Sequence, residues 1–275
     1  MQNLHTHCLL CDGRDSPEEM AAAALEMGFD SLGFSSHSYT AFDLEPCLKD
    51  EDEYRKRILR LKASYLGRLR IYLGLEQDLF SPIPRPGLDY LIGSVHYVLR
   101  DKEYIPVDNT PELLSDGVRR LFSCDLEEFV LEYYRLVGSV REVTGCDIVG
   151  HFDLITKFER ACPELSKTDS LGSVEEEKKR AIKRLASQDA IFEVNTGAMA
   201  RGYKDCPYPS FSSLEYIRSL NGRVTISSDC HDKRYLDYGF REAAGLIREA
   251  GFDCFYELRP EFSDADRRFV KIHLY

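Results

Sequence analysis

The sequence predicts an α/β protein built on a parallel β-sheet, open or closed into a barrel. Short apolar runs alternate with helix-like segments along the chain. The runs are flanked by polar or glycine residues, as buried parallel strands are. No internal repeat, low-complexity tract or linker breaks the alternation. A chain of 275 residues with 43% hydrophobic content therefore reads as one domain over 1–275, with a core large enough to fold without staples.

The expected strands are 3–8, 31–35, 71–75, 90–95, 147–150, 191–195 and 224–228, with 254–258 as a further one. Helices are expected between them. The first has a start signal in its residues: Ser16 caps, Pro17 takes the first helical position and Glu19 completes a capping box. Gly28 supplies its stop. Segments 50–67, 125–144, 174–188, 211–220 and 236–250 carry helical periodicity or propensity. Alternating strands and helices favour parallel pairing through right-handed crossovers.

Composition narrows the function. A net charge of −11 disfavours a nucleic-acid footprint, which needs a basic face. It does not disfavour a small anion, because a few placed cations bind one phosphate. The chain has no stretch approaching a membrane span and no signal-like opening, so a soluble, cytoplasmic protein without a membrane partner is expected. Its nine cysteines are scattered and read mostly as small buried hydrophobes rather than a disulfide framework.

Of seven histidines, six fall at or just after a strand end: His5, His7, His37, His96, His151 and His231. Acids complete the pattern. Glu76 ends the third strand, Asp229 precedes His231 by two, and Asp12 follows the first strand. Glu193 lies within the sixth strand, with two readings open: a ligand, or a support inside the barrel. The carboxyl ends of parallel barrel strands converge on one rim, and residues two apart on a strand face the same side. H-x-H and D-x-H can therefore each aim two ligands at one ion. Imidazole and carboxylate suit zinc, manganese or iron. The number of ligands exceeds what one tetrahedral ion needs, which implies a cluster of two to three ions with Glu76 bridging. Such clusters generate hydroxide and stabilise displacement at phosphorus.

These motifs, "HTH" at 5–7, Asp12, "SSH" at 35–37, "GLE" at 74–76, "GSVH" at 93–96, "GH" at 150–151 and "SDCH" at 228–231, resemble the PHP (polymerase and histidinol phosphatase) superfamily in order and over nearly the whole chain. "GSVHYV", "HFDLI", "EVNTGAMARG" and "YPS" resemble its histidinol-phosphate phosphatase type. The resemblance implies a distorted seven-stranded (β/α) TIM-like barrel with a trinuclear metal centre at the C-terminal rim of the strands. It also implies ligand sets: His5, His7, Glu76 and Asp229 for one ion; Glu76, His96 and His151 for a second; Asp12, His37 and His231 for a third. Some relatives carry His where this chain has Asp12.

The expected reaction is hydrolysis of a small phosphate monoester, L-histidinol phosphate first, by attack of a metal-bridging hydroxide. Arg201 is the first candidate for a phosphate clamp, with Lys157 and Arg160 behind it. Asp229 or His231 relays a proton to the leaving group. Asp78 orients a ligand or meets a cationic substrate group. Tyr97, Tyr203 and Tyr208 are candidates for the pocket lining. Rival readings keep the fold and change the ester to a nucleotide, sugar phosphate or phosphotyrosine, or make the chain a non-catalytic metal-binding module. The oligomeric state is left open. The C-x-x-C pair Cys8 and Cys11 is set aside as a site: no second pair completes a four-cysteine zinc site, and the pair follows a strand where a thioredoxin-like motif starts a helix.

Overall fold

The computed structural model describes residues 1–259 and 268–274. In chain order the elements are β1 (Gln2–Asn3), α1 (Pro17–Glu26), β2 (Ser31–Phe34), α2 (Glu51–Ser64), β3 (Arg70–Asp78), β4 (Tyr90–Ser94), β5 (Tyr97–Arg100), β6 (Glu103–Pro106), α3 (Pro111–Leu121) and α4 (Leu126–Thr144). There follow β7 (Ile148–Val149), α5 (Pro163–Asp169), α6 (Gly172–Ser187), β8 (Ile191–Asn195), α7 (Gly197–Ala200), α8 (Phe211–Ser219), β9 (Arg223–Ser227), α9 (Phe240–Glu249), β10 (Cys254–Leu258) and β11 (Phe269–His273).

Seven strands form one sheet in the order β1-β2-β3-β4-β7-β8-β9, every neighbouring pair parallel. Thr6 bridges Cys230, with Cys230 N–H donating to the His5 carbonyl at 3.1 Å and His7 N–H to the Cys230 carbonyl at 2.8 Å. These bonds bring the first and last strands together and nearly close the sheet into a barrel. The expected (β/α) barrel is the observed fold.

The first helix starts as its residues dictate. Ser16 accepts from the Glu19 N–H, and the Glu19 carboxylate accepts from the Ser16 N–H at 2.9 Å. Other bounds differ from the sequence expectation. β3 runs on to Asp78, and the ladder of β1 stops at Asn3. The strand expected at 254–258 forms but stays outside the barrel sheet, pairing antiparallel with β11. The long segment between β4 and β7 holds an unforeseen hairpin, β5–β6, and helix α3.

β10 plugs the barrel floor. Leu258 packs with Leu4, Tyr72, Tyr90, Ile92, Ile148 and Ile191, and Gln2 exchanges hydrogen bonds of 3.0 and 2.8 Å with the Leu258 backbone. Tyr90 fills the interior and donates to the Leu4 carbonyl. It fits because two neighbours lack a Cβ. A Cβ on Gly74 would lie 2.2 Å from Tyr90 Cζ, and one on Gly33 2.3 Å from Tyr90 Oη. Gly74→Ala is expected to cost about 2 to 3 kcal/mol by overpacking, read as a lower urea midpoint. Tyr90→Phe should ease the cost of Gly33→Ala and leave that of Gly74→Ala, whose clash is with the ring. An unchanged midpoint in Gly74→Ala would mean that Tyr90 moves aside freely.

Candidate metal centre

Tyr72, Gly74, Glu76 and Asp78 alternate along β3 on one face, so the apolar floor gives way two residues later to Glu76. Its carboxylate is the hub. Glu76 Oε2 lies 2.8 Å from His37 Nδ1, 3.2 Å from His5 Nε2 and 3.5 Å from His7 Nε2. Glu76 Oε1 lies 2.9 Å from His151 Nε2 and 3.2 Å from His96 Nε2, and accepts from Ser94 Oγ at 2.6 Å. Asp229 closes one side, its Oδ1 3.2 Å from His7 Nε2 and 3.6 Å from both His5 Nε2 and His231 Nδ1. Asp12 closes the other, its Oδ2 3.3 Å from His231 Nε2 and 3.5 Å from His37 Nε2. Every residue expected as a ligand, Glu193 apart, reaches this one cluster.

Four overlapping groups place their ligand atoms close enough to share an ion: Asp12 with His7, His37 and His231; Asp229 with His5 and His7; Glu76 with His5 and His151; Glu76 with His37 and His96. The chemistry of the donors supports a cation. His5 Nε2, His7 Nε2 and Glu76 Oε2 are buried, face one another and have no hydrogen-bond partner in the protein. Each such atom costs roughly 1–3 kcal/mol if left unsatisfied, and the nitrogen and carboxylate set suits zinc, manganese or iron.

Electrostatics sharpen the picture. Burial opposes charge on these groups, yet attraction between acids and imidazoles, and for Asp229 first the charge of Arg201, outweighs it. Glu76 and Asp229 are held well below the usual carboxylate range, and His5 and His37 well above the usual imidazole value. His96 is raised to about 10 against its burial, by the charge of Glu76 and bonds to Asp78 and Glu76. His7 is the exception. Burial and the charges of His231 and His37 push it down to about 3.

A PHP domain model matches residues 3–197. The chain belongs to the PHP domain family. It is 28% identical over 285 residues to the probable histidinol-phosphatase of Schizosaccharomyces pombe, covering 94% of this chain and 90% of that one. Among solved structures it is similar to the putative histidinol phosphatase of Listeria monocytogenes (TM-score 0.75, 20% identity, 88% of this chain and 99% of that one). It is also similar to the histidinol phosphate phosphatase of Lactococcus lactis, complexed with zinc, L-histidinol and phosphate (TM-score 0.69, 21% identity, 93% and 95%).

Around this PHP centre, carboxylates orient the imidazoles. Glu193 sits one layer beneath, with Oε1 2.6 Å from His5 Nδ1. Its oxygens also accept from His151 N–H at 2.7 Å, from Asn195 Nδ2 at 2.9 Å and from Ser227 Oγ. Of the two readings open for Glu193, this geometry is that of a support, because its lone pairs are already engaged. Asp78 Oδ2 lies 3.2 Å from His96 Nδ1 and accepts the His96 N–H at 3.1 Å. It also lines the cavity, so its position suits both roles expected for it, orienting His96 and facing a cationic group.

A cavity of about 330 Å³ opens over the centre. Asp12, His37, His96, His151, Asp229 and His231 of the cluster line it, Arg201 and Lys157 add positive charge, and Asp43, Asp78, Tyr97, Asp108 and Asn109 are among the other lining residues. Arg201 follows the short α7. Its Nη2 donates to Asp229 Oδ2 at 2.9 Å and its Nη1 to the Asp229 carbonyl at 3.1 Å. Asp229 has φ of +48°, a left-handed conformation that a short polar residue tolerates and that is held at functional sites by its surroundings. Lys157 Nζ donates to the Asp108 carbonyl at 2.6 Å and lies 3.4 Å from its carboxylate.

The structure does not bring Arg160 to the cavity. It donates to the Gly202 carbonyl at 3.1 Å and pairs with exposed Asp205. Tyr97 lines the cavity and donates to Asp43 at 2.7 Å. Tyr203 stands at the surface and Tyr208 is buried outside the lining. The sequence reading missed Ser94, which strand alternation from His96 would have found. It also missed Asp43 and Asp108, which lie on loops without periodicity.

Proposed function

We propose that this chain, residues 1–275 acting as one catalytic unit in the cytoplasm, hydrolyses L-histidinol phosphate to L-histidinol and phosphate. The observation that carries the reading is the Glu76-centred cluster beneath a cavity lined by both cations, Arg201 and Lys157, and acids, Asp43, Asp78 and Asp108. The name shared by the relatives supports it. Among the described residues no helix is long and apolar enough to cross a membrane.

The residues divide the work. His5, His7, Glu76 and Asp229 would hold one divalent ion, Glu76 with His96 and His151 a second, and Asp12 with His37 and His231 a third. Zinc, manganese and iron all suit the donors. Bound ions supply positive charge to the phosphoryl group and a nucleophile at neutral pH. Arg201 has five donors in a planar fork; those not spent on Asp229 and on His231, whose Nδ1 lies 3.0 Å from Arg201 Nη1, bind phosphate oxygens, and Lys157 adds charge to the same cavity. Asp229 or His231 delivers a proton to the leaving oxygen. The substrate's ammonium and imidazole meet the acidic wall.

A panel of phosphate esters, with and without chelator, tests the proposal. Phosphate release should be fastest from L-histidinol phosphate, stop with chelator and return on adding zinc or manganese. A tenfold preference for another ester, roughly 1.4 kcal/mol of transition-state binding, would reassign the substrate. Release indifferent to chelator would overturn the metal reading.

A further inference from the structure

The C-x-x-C pair, set aside as a site of its own, gains a role from its position beside His7. A histidine that offers one ring nitrogen to a metal as a lone pair carries its proton on the other, where an acceptor orients the ring. His5 has Glu193 there at 2.6 Å and His96 has Asp78 at 3.2 Å; buried His151 Nδ1 has none among the described residues. His7 is fully buried, and its Nε2 faces Asp229 and Glu76 at 3.2 and 3.5 Å without a hydrogen-bond partner. Its Nδ1 has two neighbours at the same distance, Cys11 Sγ at 3.7 Å and Asp12 Oδ1 at 3.7 Å. That separation is within reach of a hydrogen bond to the larger sulfur atom and too long for one to oxygen.

We propose that Cys11 is a positioning residue for the metal centre, its sulfur accepting a hydrogen bond from His7 Nδ1–H while its own S–H donates one to the carbonyl of Cys8. The second bond is in place, with Cys11 Sγ 3.4 Å from that carbonyl oxygen. The same carbonyl accepts the N–H groups of Cys11 at 3.0 Å and Gly13 at 3.1 Å. The turn 8–13 therefore fixes the thiol from the backbone, and the thiol fixes the imidazole. The spacing has a plain cause: the residue three after Cys8 closes the turn on its carbonyl and stands four after His7. The role is a hydrogen-bonded relay and involves no disulfide chemistry. It also gives His7 a neutral acceptor where His5 and His96 have carboxylates. That limits negative charge in a centre already holding Glu76, Asp229 and Asp12.

The proposal rests on the metal-centre reading above, and its test does not depend on turnover. Wild type, Cys11→Ala and Cys11→Ser are stripped, reloaded with zinc and titrated against a chromophoric chelator. Losing such a partner typically costs 10- to 100-fold in metal affinity. Cys11→Ala is expected to bind its zinc complement at least tenfold more weakly, and Cys11→Ser, whose shorter C–O bond leaves its oxygen out of hydrogen-bond reach of His7 Nδ1, to weaken it in the same direction. The metal-stripped forms should melt alike. Nitrogen-15 spectra of the zinc-loaded wild type should show His7 protonated at Nδ1, a readout that stands if Cys11→Ala does not fold. Equal zinc affinity in Cys11→Ala and wild type, or His7 unprotonated at Nδ1, would overturn the proposal. If wild type bound zinc with this cysteine dependence but hydrolysed no ester, the functional reading would fail and this one would stand.

Discussion

Glu76→Gln is expected to lower phosphate release from L-histidinol phosphate by at least about 1,000-fold, roughly 4 kcal/mol of transition-state stabilisation. The substitution keeps the shape and removes the charge on which the centre is built. Glu76 lies within 2.8 to 3.5 Å of His37, His151, His5, His96 and His7. An amide in its place offers one weak acceptor and turns N–H donors on nitrogens that must keep their lone pairs. Among the described residues no other acid pairs with the rings of both His96 and His151: Asp78 meets the far nitrogen and the N–H of His96, and Glu193 meets the His151 backbone. The metal content after gel filtration should therefore fall with the rate. Circular dichroism should show the barrel intact, because β3 is fixed by its ladders to β2 and β4 and not by this carboxylate. A Glu76→Gln protein that keeps more than about a tenth of the wild-type rate would remove Glu76 as the bridge between ions.

The residues of the cluster were legible in the sequence for a geometric reason. A short apolar run in a parallel barrel has one end on the catalytic rim, so a residue's distance from the end of its run places it in the site. His37, Glu76, His96, His151 and His231 are placed by that rule alone. Glu193 shows the rule at finer grain. It lies two residues before the end of β8, and a period of two sets it one layer below the rim, where it supports His5. Loops have no such ruler. Asp43 reaches the cavity because Phe42 stacks on Tyr104 at 3.5 Å and 6°, and Tyr97 bonds the Asp43 carboxylate. The loop and hairpin that meet there are about 60 residues apart in sequence. Arg160 and Arg201 both lie beyond a strand end, yet one turns to Asp205 and the other to Asp229. Nothing in local periodicity tells those two apart. The turn 8–13 hid its meaning differently: its cysteines form a familiar motif, while the contact that matters runs from Cys11 back to His7.

Arg201→Met carries the second large effect, an expected loss of about 100- to 1,000-fold in kcat/KM. Removing one preorganised group that meets developing charge costs about 3 to 4 kcal/mol in well-studied sites. Arg201 bears two duties that the measurement must separate. It ties Asp229 by its carboxylate and its carbonyl, at 2.9 and 3.1 Å, and it lines the cavity over the metal ligands. Asp229 keeps His5 and His7 as neighbours without Arg201, so the metal content should survive the change. Phosphate binding should not. Inorganic phosphate, the reaction product, is expected to inhibit Arg201→Met at least tenfold more weakly than wild type. Arg201→Lys should recover only part of the loss, because an ammonium cannot span two phosphate oxygens or hold both Asp229 contacts as a planar fork does. If phosphate inhibits Arg201→Met as strongly as wild type while metal is lost, Arg201 acts by holding Asp229 and has no part in binding phosphate.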